Sequence, residues 1–109
     1  MENNLKAVFK KMHLKIINSI SEPDSVIDDL FSKNVISDDD YHEIRQRPTE
    51  SDRCRDLLSL LHVSEHTKAF SHLRLALQKK NPGIVMEVDC RLWRGNFTDD
   101  NRTISSLSH

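Results

Sequence analysis

The sequence predicts an all-helical domain, and three observations carry that expectation. Apolar residues recur in segment after segment at the i, i+3, i+4, i+7 spacing of one helix face. Only 2 Gly and 3 Pro occur among 109 residues, too few for the many tight turns of an all-β fold. Hydrophobic residues make up 37% and charged residues 30%, a balance that suits one modest core beneath a heavily charged surface.

The first helix is the longest and cleanest. Leu5, Val8, Phe9, Met12, Ile16, Ile17 and Ile20 share a face, while Lys6, Lys10, Lys11 and Lys15 fall mainly opposite. Leu14 interrupts the polar side, a sign of a bend or of an exposed contact. Ser21 to Ser25, around Pro23, supplies stop and start signals. A short second helix follows with Val26, Ile27, Leu30 and Phe31 inward, and Asn34 suits a left-handed C-terminal cap. Ser37 with Asp40 resembles a capping pair for a third helix that buries Tyr41 and Ile44, and Asp38 to Asp40 would sit at its positive end.

Pro48-Thr49 marks the next boundary. Thr49 caps a fourth helix with Asp52 in its first turn and Cys54, Leu57, Leu58 and Leu61 on its buried face. A connection over His62 to Glu65 leads to a fifth helix with Ala69, Phe70, Leu73, Ala76 and Leu77 inward. Asn81-Pro82 reads as a cap followed by proline at the first helical position, opening a short sixth helix with Ile84, Val85 and Val88. Periodicity ends after Trp93, so residues 1–92 are expected to form the helical domain and 93–109 a polar, Ser-rich tail or linker. None of the six segments is long enough to be stable alone, so their apolar faces must share one core.

Formal net charge is only −1, but the charges are segregated. Eight carboxylates fall between Glu22 and Glu43 against one base, Lys33. Met1 to Ser21 carries four Lys and one Glu (+3), Ile44 to Arg55 four Arg and two acids (+2), and Val63 to Lys80 is +3. A near-neutral, patchy surface of this kind recognises complementary patches on other proteins, or on a copy of itself.

Catalytic and cofactor chemistry find little support. Cys54 lies in an apolar helical stripe and reads as a buried thiol; it and Cys90 show no disulfide framework, which fits a reducing compartment and a cytoplasmic protein. His62, His66 and His72 straddle an expected connection without the Cys or carboxylate that would complete a metal set, and read as surface histidines. Asp38 to Asp40 lacks the alternating acids, Gly and final Glu of a calcium loop. With two Gly in all, a phosphate-cradling Gly-rich loop is excluded. No apolar run reaches membrane-spanning length.

The ordered set Val26-Ile-Asp-Asp-Leu30, Val35-Ile-Ser37, Tyr41-His-Glu-Ile44, Pro48-Thr49 with Arg53 and Arg55, Leu57-Leu58, Ala69-Phe70 and Leu73 to Leu77 resembles the caspase recruitment domain (CARD) of the death-fold superfamily. The resemblance covers Leu5 to Val88, and Ile36 to Leu58 looks most like the domains of the apoptosome scaffold, NOD-like receptors and the inflammasome adaptor. Asn34 stands where many relatives have Gly. The resemblance implies a six-helix antiparallel bundle in Greek-key order with the first helix kinked in many members.

It also implies a domain without catalysis or cofactor, which recruits or oligomerises signalling proteins in apoptosis or inflammasome pathways. Its partner would be another CARD protein (a caspase, an adaptor or a NOD-like or apoptosome scaffold) or a second copy of itself. In the commonest contact of the family, a basic surface of the first and fourth helices meets an acidic surface of the second and third. The matching residues here are Asp28, Asp29, Asp39, Asp40 and Glu43 on the acidic side, and Lys10, Lys11, Arg53 and Arg55 on the basic side. Each of these also has a purely structural alternative, as a helix cap or an intramolecular pair. Two rival functions stand beside this one. A decoy of the same fold would have one competent patch, and a helical nucleic-acid binder would need a coherent basic face that the Glu22 to Glu43 region interrupts.

Overall fold

The computed structural model describes residues 2–104, with side chains described for residues 2–94. Among the described residues there are seven helices: α1 (Glu2–Lys11), α2 (His13–Ser19), α3 (Pro23–Ser32), α4 (Asp38–Arg45), α5 (Glu50–Val63), α6 (Ala69–Lys80) and α7 (Pro82–Ile104). The seventh arises because the first expected helix is broken. Met12 leaves helical geometry at φ −93°, ψ 8°, although Met12 N–H still reaches Val8 O at 3.0 Å and Ile16 N–H reaches Met12 O at 2.8 Å. The bend re-aims the apolar stripe. Leu5 and Phe9 of α1 face α6 and α7, whereas Ile16 and Ile17 of α2 face α5.

The remaining helices close around the same core. α3 packs against α4, α5 and α6, α4 against α5, and α6 against α7. Ile27, Leu30, Leu77 and Val88 are fully enclosed at its centre. Phe9 of α1 stacks on Phe70 of α6 with ring centroids 5.6 Å apart, and the His62 ring of α5 lies 4.9 Å from Phe70 on another side. His62 is therefore the last turn of α5, half-buried, and not the surface connection that the sequence suggests.

Local capping follows the sequence closely. Ser37 Oγ accepts from Asp40 N–H at 3.2 Å, and Thr49 Oγ1 accepts from Asp52 N–H at 3.0 Å, each satisfying one of the donors that a helix start leaves open. At the end of α3, Asn34 takes φ 62°. Asn34 N–H bonds Phe31 O at 3.0 Å and Val35 N–H bonds Leu30 O at 2.9 Å, with both Val35 and Leu30 buried, which is a complete Schellman motif.

Two other helix ends are satisfied from far away. α6 begins after Lys68, whose side chain provides no cap. Its donors are taken instead by Glu2 of α1: Phe70 N–H and Ser71 N–H reach the carboxylate at 2.6 and 3.2 Å, and Ser71 Oγ donates at 2.9 Å. Asn81 starts α7 through its backbone carbonyl, which accepts from Ile84 and Val85 N–H. Its carboxamide turns to Ser21, accepting from Ser21 N–H at 2.8 Å and donating to Ser21 O at 3.0 Å. That side chain pins the α2–α3 corner to the α6–α7 corner, where Glu22 holds the left-handed conformation (φ 52°) just before Pro23.

The last helix is longer than the sequence suggests. Helix is continuous from Pro82 to Ile104, although Leu92 is the last buried residue among those described. An established helix adds a hydrogen bond with each further residue, and no proline follows Pro82 to stop it. Of the expected tail, residues 105–109 lie outside the described residues.

Two stability measurements check this account. Phe70→Ala removes an almost fully buried ring from the centre of the core and should cost about 3–5 kcal/mol in denaturant unfolding; a loss below about 1 kcal/mol would contradict the packing. Asn34→Gly should match or exceed wild-type stability by a few tenths of a kcal/mol, whereas Asn34→Ala should lose about 1 kcal/mol, because only Gly enters the left-handed region without penalty.

Candidate interaction surfaces

The nine charged residues singled out by the sequence fall on four helices, and their surroundings differ sharply. Asp28 and Asp29 are neighbours on α3 but point apart. Asp29 is mostly covered and pairs with Lys79 of α6 at 3.0 Å. Asp28 is exposed and turns to α4, accepting a 2.7 Å hydrogen bond from the Tyr41 hydroxyl, with Arg45 at 3.7 Å. Glu43 pairs with Arg47 one turn on, at 3.2 Å. Asp39 is exposed and Asp40 half-exposed in the first turn of α4.

On the basic side, Lys10 and Lys11 stand exposed at the end of α1. Arg53 does not. It is largely covered between α3 and α5, its Nε 2.9 Å from Asp24 and its Nη1 donating to the Arg47 carbonyl at 2.7 Å. Arg55 is exposed and pairs loosely with Asp52 at 3.3 Å in its own helix.

A network that sequence reasoning missed therefore runs across α3, α4 and α5. Asp24 meets both Arg53 and Arg45. Arg45 also lies 5.8 Å over the Tyr41 ring, which stacks on Phe31 at 4.3 Å. The hydrogen bond to Asp28 is the chief reason that the Tyr41 phenol holds its proton more tightly than usual. Arg47 bridges Glu43 and Asp56, and the Asp56 bond at 2.9 Å raises its pKa further. The four-residue spacing of Tyr41 and Arg45 is readable in the sequence, but their pairing with α3 has no local signature.

Two clusters remain after this accounting. Among the described residues, Asp38, Asp39 and Asp40 on α4 and Lys6, Lys10 and Lys11 on α1 take part in no ion pair, while Arg45, Arg47, Arg53, Arg55, Arg74 and Arg91 all do. Lys6, one turn before Lys10, extends the basic side beyond the residues that the family resemblance implies. The cysteines offer no chemistry at these surfaces: burial pushes the Cys54 thiol up to about 12, and Cys90 is free and exposed on α7. Among the described residues, no group of three or more His, Cys, Asp or Glu is arranged to hold a metal ion, and no helix is long and apolar enough to cross a membrane.

A helical bundle that pairs most of its charges internally and leaves two opposite-sign clusters outward has the surface of an interaction module. The model of the family described as the caspase recruitment domain matches residues 6–89. The chain belongs to that family, and its bundle is the family's death fold with the first helix split at Met12. The domain is thus a homotypic protein–protein interaction module and is itself not catalytic. Neither a curated protein nor a solved structure matches the chain.

The Arg74–Asp89 pair, which ties α6 to α7, makes the ion pairing measurable. Two bonds of 2.8 and 2.6 Å hold the Asp89 carboxyl below its usual range, chiefly through the hydrogen bonds from Arg74. A depressed carboxylate contributes stability that is complete above its unfolded pKa near 3.8 and is lost as pH falls through the lower folded value. Arg74→Gln should therefore be less stable than wild type at neutral pH, and the two stability curves should converge on acidification below about pH 4.

Proposed function

We propose that this domain recruits or oligomerises signalling proteins in apoptotic or inflammasome pathways of the cytoplasm, through charge-complementary contacts with another CARD or with a second copy of itself. The acidic side is Asp28, Asp29, Asp39, Asp40 and Glu43, and the basic side is Lys10, Lys11, Arg53 and Arg55. The observation that carries the reading is the pair of clusters without ion-pair partners among the described residues, Asp38–Asp40 on α4 and the lysines of α1. Asp39, Asp40, Lys10 and Lys11 are the centres of the two patches, because docking them breaks no existing pair. Asp29 and Arg53 act mainly behind them, Asp29 tying α3 to α6 and Arg53 tying α5 to α3.

A molecule with one patch of each sign docks head to tail, so every bound copy still offers a free patch and the contact propagates. Exposed pairs contribute roughly 0.2–1 kcal/mol each, so several must act together, and they set partner choice and association rate more than raw affinity.

Light scattering tests this directly. The wild-type mass should rise above the 12.7 kDa monomer with concentration at low salt and fall back as salt screens the contact. D39N/D40N and K10Q/K11Q variants should each remain monomeric, yet their mixture should form a dimer and stop there, since one intact pair of patches is left. Unaltered growth in either variant alone would remove these patches from the mechanism. A wild-type monomer at every salt would redirect the reading to a heterotypic partner or a decoy.

A further inference from the structure

The bend at Met12 carries the polar side of α1 onto α2, and there it meets α5 across an open groove of about 850 Å³. Asn3, Lys6, Lys10 and His13 line one wall, and Ser59 and His62 line the other. Among the described residues, no carboxylate lines it. Lys6 and Lys10 lie outside every ion pair among the described residues, in a protein whose other cations are mostly matched to acids. A concave surface that carries two lysines and, among the described residues, no opposing charge concentrates positive potential and draws anions.

We propose that this groove is a binding site for a linear oligophosphate, either free inorganic phosphate chain or the triphosphate of a nucleotide. The chemistry of the wall selects phosphate. Lysine ammonium groups, which serve phosphate as point charges, supply the charge, and Asn3 and Ser59 add neutral donors. The shape selects an extended ligand. From Asn3 to His13 the stripe runs ten residues, about 15 Å of helix at ~1.5 Å per residue, so a single phosphate reaches only part of it.

His62 adds a dependence on pH. Its Nε2 is sealed from solvent without a hydrogen-bond partner, and its ring rests on Phe70. Burial first, then His13 of α2 and Lys6 and Lys10 of α1, lower its pKa. An anion in the groove cancels the repulsion from those three groups, so protonation becomes easier in the complex. Binding therefore takes up protons and tightens as pH falls through the imidazole range.

Calorimetric titration of the whole 109-residue chain with sodium tripolyphosphate, at constant ionic strength and at about pH 7.5 and about pH 6, tests the site. Saturable binding with proton uptake, tighter at the lower pH, is expected. Lys6→Gln and His13→Gln should each weaken it about tenfold, the value of one lost charge-assisted contact, while Lys68→Gln, outside the groove, leaves it unchanged. ATP binding where AMP does not would assign the ligand to nucleotides, and tripolyphosphate binding without ATP to inorganic chains; both support the proposal. Absence of saturable binding, an equal loss in Lys68→Gln, or a groove that takes an acidic peptide of sequence 36–45 in place of tripolyphosphate would overturn it. The His13 variant keeps every lysine of α1 and Asp38 to Asp40, so its assembly by light scattering separates failure of this site from failure of the head-to-tail reading.

Discussion

The packing of α6 against α1 is the interaction on which the rest of the bundle depends. From α1 to α6 no helix exceeds 14 residues, and segments of that length are marginal in water by themselves. α6 gains a partner for Phe70 in Phe9 and a cap in Glu2, both from α1, and contributes in return the face against which α3 and α7 pack. Asn81 repeats the principle at the other end of α6, where its carboxamide joins two corners of the chain. Helices too short to satisfy their own ends are thus completed by residues distant in sequence, which makes the fold cooperative.

The same packing sorts the charges. Where helices meet, opposite charges are close enough to pair: Asp29 with Lys79, Asp24 with Arg53 and Arg45, Asp89 with Arg74. Half-covered pairs of this kind orient helices more than they add stability. Where a helix start or an outer face looks into water, as at Asp38 to Asp40 and along the lysines of α1, charges are left without a partner among the described residues. Acids at the start of α4 also complement its dipole, so that cluster is tolerated without a cation beside it.

What the sequence revealed and what it concealed divide along one physical line. Apolar periodicity reports which residue faces inward, and the residues assigned to the core on that basis are buried from Leu5 to Val88, except that Val8, Ile20, Phe31, Tyr41 and Ile84 are only partly covered at its edge. Caps made within one turn were equally legible at Ser37, Thr49 and Asn34. Contacts spanning the chain left no local trace: nothing near Lys68 announces that Glu2 will cap α6, and Asn81-Pro82 reads as a helix cap while its carboxamide serves Ser21. For the interaction surfaces, the sign of each region could be read but not its neutralisation. Asp28 and Asp29 look equivalent in sequence, and only the direction each takes from α3 decides that one meets Tyr41 and the other Lys79.

The cap supplied by Glu2 bears on how the domain is made. Glu2 and Phe9 leave the ribosome before the other helices of the bundle, while the backbone donor that Glu2 receives lies 68 residues later. Until that stretch has emerged, α1 has no α6 to fold onto, and its apolar stripe rides exposed on the nascent chain while the intervening helices are made. Early release of the polypeptide, or a pause shortly before Phe70, would leave that stripe bare, and the first helix is accordingly where a chaperone would find this protein unfinished.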